Sequence, residues 1–431
     1  MLSKILNRIK NEKGSIVRAI RNMSVVAIGI ALMRLSTLVI SILVARYTDP
    51  VEFGQFTLFI TLFVLGMEVP TALDGAFIRC ANKPQSNDVS RVYWFLSLAS
   101  KVILIVIVMS LIIFSLFVLT LEPVTEKIVL FGLLSGLLFC IYNTFVSRFQ
   151  QLKQYSKYSL VRPVAHVALL VLSFSVLMFM NELTIHSVMY MYLIIGAVFS
   201  LLAIIYIVKN SDINLASLRK YFSEYYGIAI ILLATSVITK LSAKMDVFIL
   251  NNYFTYEQLA DYGVALRVSL LISIMTGIIS IILYPKAPEI NKDRYLFKRY
   301  MGLSLVNAIP QTILGVILIG SIDPIITLFF GKEYSNDLSQ QLSIIMIIMM
   351  LFVSYTVPFQ ALVQFGEYPK RAMNVSIVRS VVTVLLLITM IPVYGILGAS
   401  YVLLFVSVIV FFVLMYLALS ENNIIHSSMK I

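Results

Sequence analysis

The amino-acid sequence predicts an all-α integral membrane protein of about twelve transmembrane helices, and two observations carry this. Sixty per cent of its 431 residues are hydrophobic and only 13% are charged, whereas a soluble chain carries about a quarter charged residues; mean hydropathy is +0.95. Apolar stretches of about 20 residues, enough to cross a bilayer at about 1.5 Å per residue, recur along the whole chain.

Polar and charged residues bound these stretches. The first span, 23–46, follows a basic tail and ends at Arg46, and the second, 55–78, ends at Arg79. Spans 93–119 and 128–148 are separated by Glu122 and Lys127. Spans 160–181 and 186–208 flank Glu182, and the latter stops at Lys209. After an 18-residue connection, Lys209 to Tyr226, come 227–250 and then 262–285, with Asp261 before the latter. The 14 residues from Lys286 to Arg299 lead to 300–322, and 340–363, 372–392 and 396–419 complete the set. No connection is long enough to bury a core of its own, so function is expected within the bilayer or at its faces.

The net charge of +12 does not point to nucleic acid, because the cations are segregated. Of 33 Lys and Arg, 24 fall at one membrane face, including Arg8, Lys83, Arg162, Lys220, Lys286, Lys292 and Lys430. The opposite face holds only Arg46, Lys127 and Lys332. By the positive-inside rule this predicts cytoplasmic termini. The first apolar segment is too long for a cleaved signal peptide and is expected to remain a helix. Cys80 and Cys140 form no disulfide or metal pattern, and His166, His186 and His426 are scattered, so neither a cofactor nor a metal is expected.

Sliding the chain on itself by 206 residues aligns Tyr47 with Tyr253, Gly54 with Ala260, Phe56 with Tyr262 and Arg34 with Lys240. The predicted organisation is a six-helix lobe over 1–208, a linker over 209–226 and a second lobe over 227–431. Parallel repeats of this kind in transporters hold substrate between the halves and rock against each other.

The run Ala45-Arg46-Tyr47-Thr48-Asp49-Pro50-Val51-Glu52-Phe53-Gly54-Gln55-Phe56 resembles the signature after the first helix of bacterial polysaccharide flippases, the O-antigen and capsule repeat-unit transporters. These belong to the multidrug/oligosaccharidyl-lipid/polysaccharide exporter superfamily. Gly75–Arg79, Asp246, Tyr262–Arg267 and Phe330-Gly331-Lys332-Glu333-Tyr334 agree in the same order. Asp49 stands where the family usually has Gly, so a differently built turn is expected there. The resemblance implies two pseudo-symmetric six-helix lobes around a central cavity, with an oligosaccharide on a polyprenyl pyrophosphate as substrate. It further implies a bacterial inner-membrane location, membrane lipids as surroundings, and a polysaccharide polymerase and chain-length regulator as candidate partners.

Charges inside spans bear on mechanism. A Lys or Arg at a helix centre costs roughly 2.5–3.5 kcal/mol on insertion scales, so it faces a wet cavity or a partner. Arg34 shares a helix face with Thr37 and Ser41, while Lys240 and Lys244 lie one turn apart beside a Thr/Ser stripe. Arg34, Lys240, Lys244 and Arg379 are the candidates for lining a cationic path for the pyrophosphate, the alternative being structural ion pairs. Glu68, Asp74 and Asp246 are the ion-coupling candidates, with pairing of the first two to Arg34 or Arg79 as the structural alternative. Lys101 reads as a side chain that snorkels to the interface, and Arg267 and Arg46 as helix caps or lipid-phosphate contacts near the outer face. Trp94 is expected at the cytoplasmic interface. Of the intramembrane prolines 70, 163, 310 and 358, Pro358 is the hinge candidate.

The chain has no G-x-x-x-x-G-K-[ST] phosphate loop, so ATP is not the expected energy source. A drug or cation exporter would line its cavity with carboxylates, whereas six intramembrane cations here outnumber three acids. A polymerase or glycosyltransferase would need a large external loop, and none is expected, which favours a transporter over an enzyme.

Overall fold

The computed structural model describes residues 2–82, 87–118, 123–211, 215–283, 294–364 and 369–428, and all regular structure among them is helical. Lys83, Lys286, Lys292 and Lys430, and residues 212–214 of the expected linker, lie outside this set. The helices are α1 (Leu2–Tyr47), α2 (Pro50–Glu68), α3 (Thr71–Ala81), α4 (Asn87–Val118), α5 (Pro123–Gln151), α6 (Tyr155–Val161), α7 (Val164–Met180) and α8 (Ile185–Asn210). They continue as α9 (Leu215–Ser242), α10 (Met245–Tyr253), α11 (Tyr256–Leu283), α12 (Arg294–Gly320), α13 (Ile322–Phe329), α14 (Asp337–Gln364) and α15 (Pro369–Ser428). A 3₁₀ turn, Lys332–Tyr334, joins α13 to α14.

Among the described residues, nine helical segments are long and apolar enough to cross a membrane, or up to ten when a bent pair is taken as one. The bent pair is α12 and α13, which turn through 77° at Ser321. One of the nine, Lys370–Ser420, is 51 residues long. It holds a break at Gly395, whose φ of 66° only glycine adopts readily, between the two last expected spans.

Other breaks have clear causes. Pro70 cannot donate to the helix before it, and α2 stops at Glu68 while α3 restarts at Thr71. Pro163 separates α6 from α7 in the same way. The α1–α2 turn is built by Asp49, which adopts an extended φ of −78° and accepts from the Glu52 amide at 2.7 Å, with Pro50 following at the first helical position. This is how the chain tolerates Asp where the resembled signature carries Gly: the turn needs an N-cap and no positive φ.

α1 ends at Tyr47 and α10 at Tyr253, and α2 begins at Pro50 and α11 at Tyr256, so both junctions recur at the 206-residue shift. The face carrying these junctions is called distal below, and the face from which α1 starts, proximal. The core is centred on α2, which packs against α5 and α11. Gly136 lets α5 approach α2 so closely that a Cβ there would stand 2.2 Å from the Phe63 carbonyl oxygen. α9, from the second half, packs on α3 and α4 of the first as well as on α15. Trp94, expected at the cytoplasmic interface, is buried between helices near the start of α4, donates to the Thr144 carbonyl at 2.8 Å and lies under the Arg148 guanidinium.

Candidate functional site

Two layers of residues join the halves. The deeper one lies about 20–27 Å along the helices from their distal ends at 1.5 Å per residue. Here Glu68 stands at the last position of α2, where exposed carbonyls disfavour a carboxylate. Lys240, in the last turn of α9, meets it from the other half, Nζ to Oε2 at 2.7 Å. Both side chains keep large exposure, 45% for Lys240 and 40% for Glu68. Arg34 of α1 is half-buried, donates to the backbone carbonyl of Ser273 on α11 and reaches the Ser273 Oγ at 2.9 Å. It is also within electrostatic reach of Glu68 and of Arg162 at the α6–α7 break. Glu68 thus lies among cations contributed by both halves.

The second layer joins α2 and α11 nearer the distal side. Arg267 of α11 is buried, not at a surface cap: its guanidinium lies 4.7 Å from the Phe53 ring centre and 5.3 Å from that of Phe56, both on α2. It donates to Thr57 Oγ1 at 3.1 Å and to the Gly263 carbonyl at 2.7 Å. Gly54 allows α2 to touch the backbone of Tyr256, since a Cβ at 54 would stand 1.9 Å from its carbonyl oxygen. Phe53 also meets Tyr334 at 5.3 Å and Phe330 at 6.3 Å between ring centres. Arg46 caps the end of α13, donating to the Phe329 carbonyl at 3.1 Å, and Thr125 bonds the Tyr256 hydroxyl at 2.9 Å. The short motifs around 45–56, 262–267 and 330–334 therefore converge on one junction. Their individual roles were not legible beforehand, because each residue acts on a partner hundreds of positions away.

The remaining candidates are placed as follows. Asp74 pairs neither with Arg34 nor with Arg79. It binds Lys101, Nζ to Oδ2 at 2.6 Å, with Ser97 donating to its other oxygen at 3.0 Å. Lys101 does not snorkel; it is fully buried and also donates to the Cys140 carbonyl at 2.8 Å and Thr144 Oγ1 at 2.7 Å. Lys244 is half-buried at the N-cap of α10, closer to the distal side than Lys240. Asp246 is buried and accepts from the Tyr262 hydroxyl at 2.6 Å, while its Oδ1 has no partner among the described residues. Arg379 is exposed on α15, away from the Lys240–Glu68 pair in sequence and without a side-chain hydrogen bond among the described residues. Pro358 sits inside a continuous α14, and its carbonyl accepts from Tyr300 at 3.0 Å. Among the described residues no cluster of His, Cys, Asp and Glu could hold a metal.

A recess of about 920 Å³ opens at the distal face and is lined by Asp49, Glu52, Glu182 and Glu333 beside Arg46. The distal rim is therefore mainly acidic while the deeper layer is mainly cationic.

Residues 43–314, more than half of the chain, match the family described as polysaccharide biosynthesis protein. The chain belongs to that family. A Shigella flexneri protein provisionally named an O-antigen transporter is 26% identical over 215 residues, 48% of this chain. The match spans half the length of that relative. Among solved structures, the lipid II flippase MurJ in an inward closed conformation superposes with a TM-score of 0.73 at 15% identity, covering 91% of this chain and 88% of that one. An inward-facing multidrug resistance MATE transporter gives 0.73 at 14% identity, over 92% and 96% of the two chains. An outward-facing conformation of a MATE family transporter gives 0.67 at 14% identity, over 95% and 96%. The chain therefore belongs to the polysaccharide biosynthesis protein family, shares the fold of these MurJ and MATE structures and is a multi-pass membrane protein.

Proposed function

We propose that the chain translocates a polyprenyl-pyrophosphate-linked oligosaccharide repeat unit from the cytoplasmic to the outer face of the bacterial inner membrane, by alternating access, for surface polysaccharide synthesis. The proximal face, which carries the basic loops, is then cytoplasmic. The observation that carries this reading is the half-exposed cationic layer of Arg34 and Lys240, contributed by both halves and lying beneath the packed α2–α11 contact. Such a layer suits an anionic headgroup arriving from the cytoplasm. An unpaired buried charge costs many kcal/mol, and cations in a hydrated cleft offset that cost while the prenyl tail stays in lipid. Lys244, nearer the distal side, extends the path, and Arg379 on α15 is a further candidate for lining it.

The test is deletion of the gene in its native host. The lipid-linked unit should collect on the cytoplasmic face and be cleared by the wild-type gene but not by Arg34→Ala plus Lys240→Ala. If lipid-linked units still reached the outer face and only drug resistance changed, an exporter function would replace this one.

A further inference from the structure

We propose that Glu68 is a built-in stand-in for the substrate's phosphates: it occupies Lys240 while the cleft is empty and yields that lysine to the arriving headgroup. The inference rests on the flippase reading above and assigns Glu68 a role that neither ion coupling nor a static ion pair provides.

The placement of Glu68 is the starting point. Its carboxylate holds Lys240 at 2.7 Å, yet 40% of its side chain and 45% of that of Lys240 remain exposed. A pair serving only to neutralise intramembrane charge is better buried, as Lys101 and Asp74 are at 0% and 8% exposure in the first half. A half-exposed pair leaves an approach for a competing anion and is held only weakly. Its two members also come from different halves, α2 and α9, so exchanging the anion changes what ties the halves together.

The charges allow the exchange. Arg34 is within electrostatic reach of both Glu68 and Arg162. With Lys240 these make three cations against one carboxylate, a net of two positive charges, which the two ionised phosphates of a pyrophosphate diester neutralise. Once the headgroup holds Lys240, Glu68 remains within electrostatic reach of Arg34. Phosphates bring more oxygen acceptors than a carboxylate and can satisfy an ammonium and a guanidinium together. On departure of the headgroup, Glu68 returns to Lys240, which opposes rebinding. Glu68 therefore lowers affinity in order to permit release. Arg162, whose guanidinium lies over the Tyr158 ring and donates to its hydroxyl, adds positive charge near Arg34.

The experiment measures binding of geranylgeranyl pyrophosphate to the full chain in nanodiscs, with the uncharged prenol as control. Glu68→Gln frees Lys240 and should tighten binding about fivefold, the factor matching the upper value for a partly exposed ion pair. Glu68→Asp keeps the charge and should bind like wild type, and Lys240→Ala should bind more weakly. Adding Glu68→Gln to Lys240→Ala should then bring no gain, because no lysine is left to free. A purely structural carboxylate gives the opposite sign, with weaker or unchanged binding by Glu68→Gln, and either result overturns the proposal. Binding by wild type with Glu68→Gln unchanged refutes this inference alone. Failure of wild type to prefer the pyrophosphate over the prenol refutes the flippase reading and this inference with it.

Discussion

The distal junction makes a sharp demand at Gly54. A methyl group there would stand 1.9 Å from the Tyr256 carbonyl oxygen and 2.6 Å from its carbon. Ordinary contact begins near 3.4 Å, so α2 and α11 must separate by about 1.5 Å. The obstacle is backbone and no rotamer change can relieve it. Overpacking of this kind costs about 1–3 kcal/mol, a factor of roughly 5–150 in the balance between closed and open junctions. Gly54→Ala should therefore hold the distal side open for a larger share of the time. The reporter is Thr61→Cys: Thr61 is buried two turns below Gly54, on the helix face that carries Thr57 toward Arg267. In a background with Cys80→Ser and Cys140→Ser, a membrane-impermeant maleimide added outside should label position 61 at least about fivefold faster in Gly54→Ala. Gly227→Ala, where a Cβ meets nothing within 4 Å, is the control and should leave labelling unchanged. If Gly54→Ala labels at the control rate and transports normally, the contact is not a gate.

Other expectations follow from the same geometry. Lys101→Met strands a buried Asp74 and should cost about 3–5 kcal/mol; for a chain of this size that is a fall in Tm of roughly 3–6 °C. Lys101→Met with Asp74→Asn should recover part of it, and a single variant melting like wild type would show that the pair carries no stability. Arg267→Ala removes a cation held over two aromatic rings, and accessibility at position 61 should rise as it does for Gly54→Ala. Arg267→Lys should restore little, because the planar guanidinium stacks and bonds in ways that an ammonium does not. Among the carboxylates, Asp246 has one oxygen without a partner and can accept an ion or proton there. Asp246→Asn is accordingly expected to make transport in vesicles independent of an imposed proton or sodium gradient, and retained dependence would exclude it as the coupling group.

How much of this was legible in advance depended on whether a residue's meaning was local. The apolar runs and the charges bounding them are local, so the helices and the basic face could be read directly. Arg34 and Lys240 stood out because a cation at a helix centre needs an explanation wherever the chain goes next. Partners were a different matter. Lys101 lay near a helix end and read as a snorkelling residue, yet Asp74, 27 positions earlier, meets it because Pro70 restarts a helix that brings Asp74 against α4. Arg267 read as a surface cap because its rings, Phe53 and Phe56, belong to the other half. The two layers that define the candidate site are made of such cross-half pairs, Glu68 with Lys240 and Phe53 with Arg267. In the function proposed above, a pair split between halves is what rocking of one half against the other would use, forming it in one orientation and breaking it in the other. Local reading thus found the charges, and the long-range pairings that join them came only from the fold.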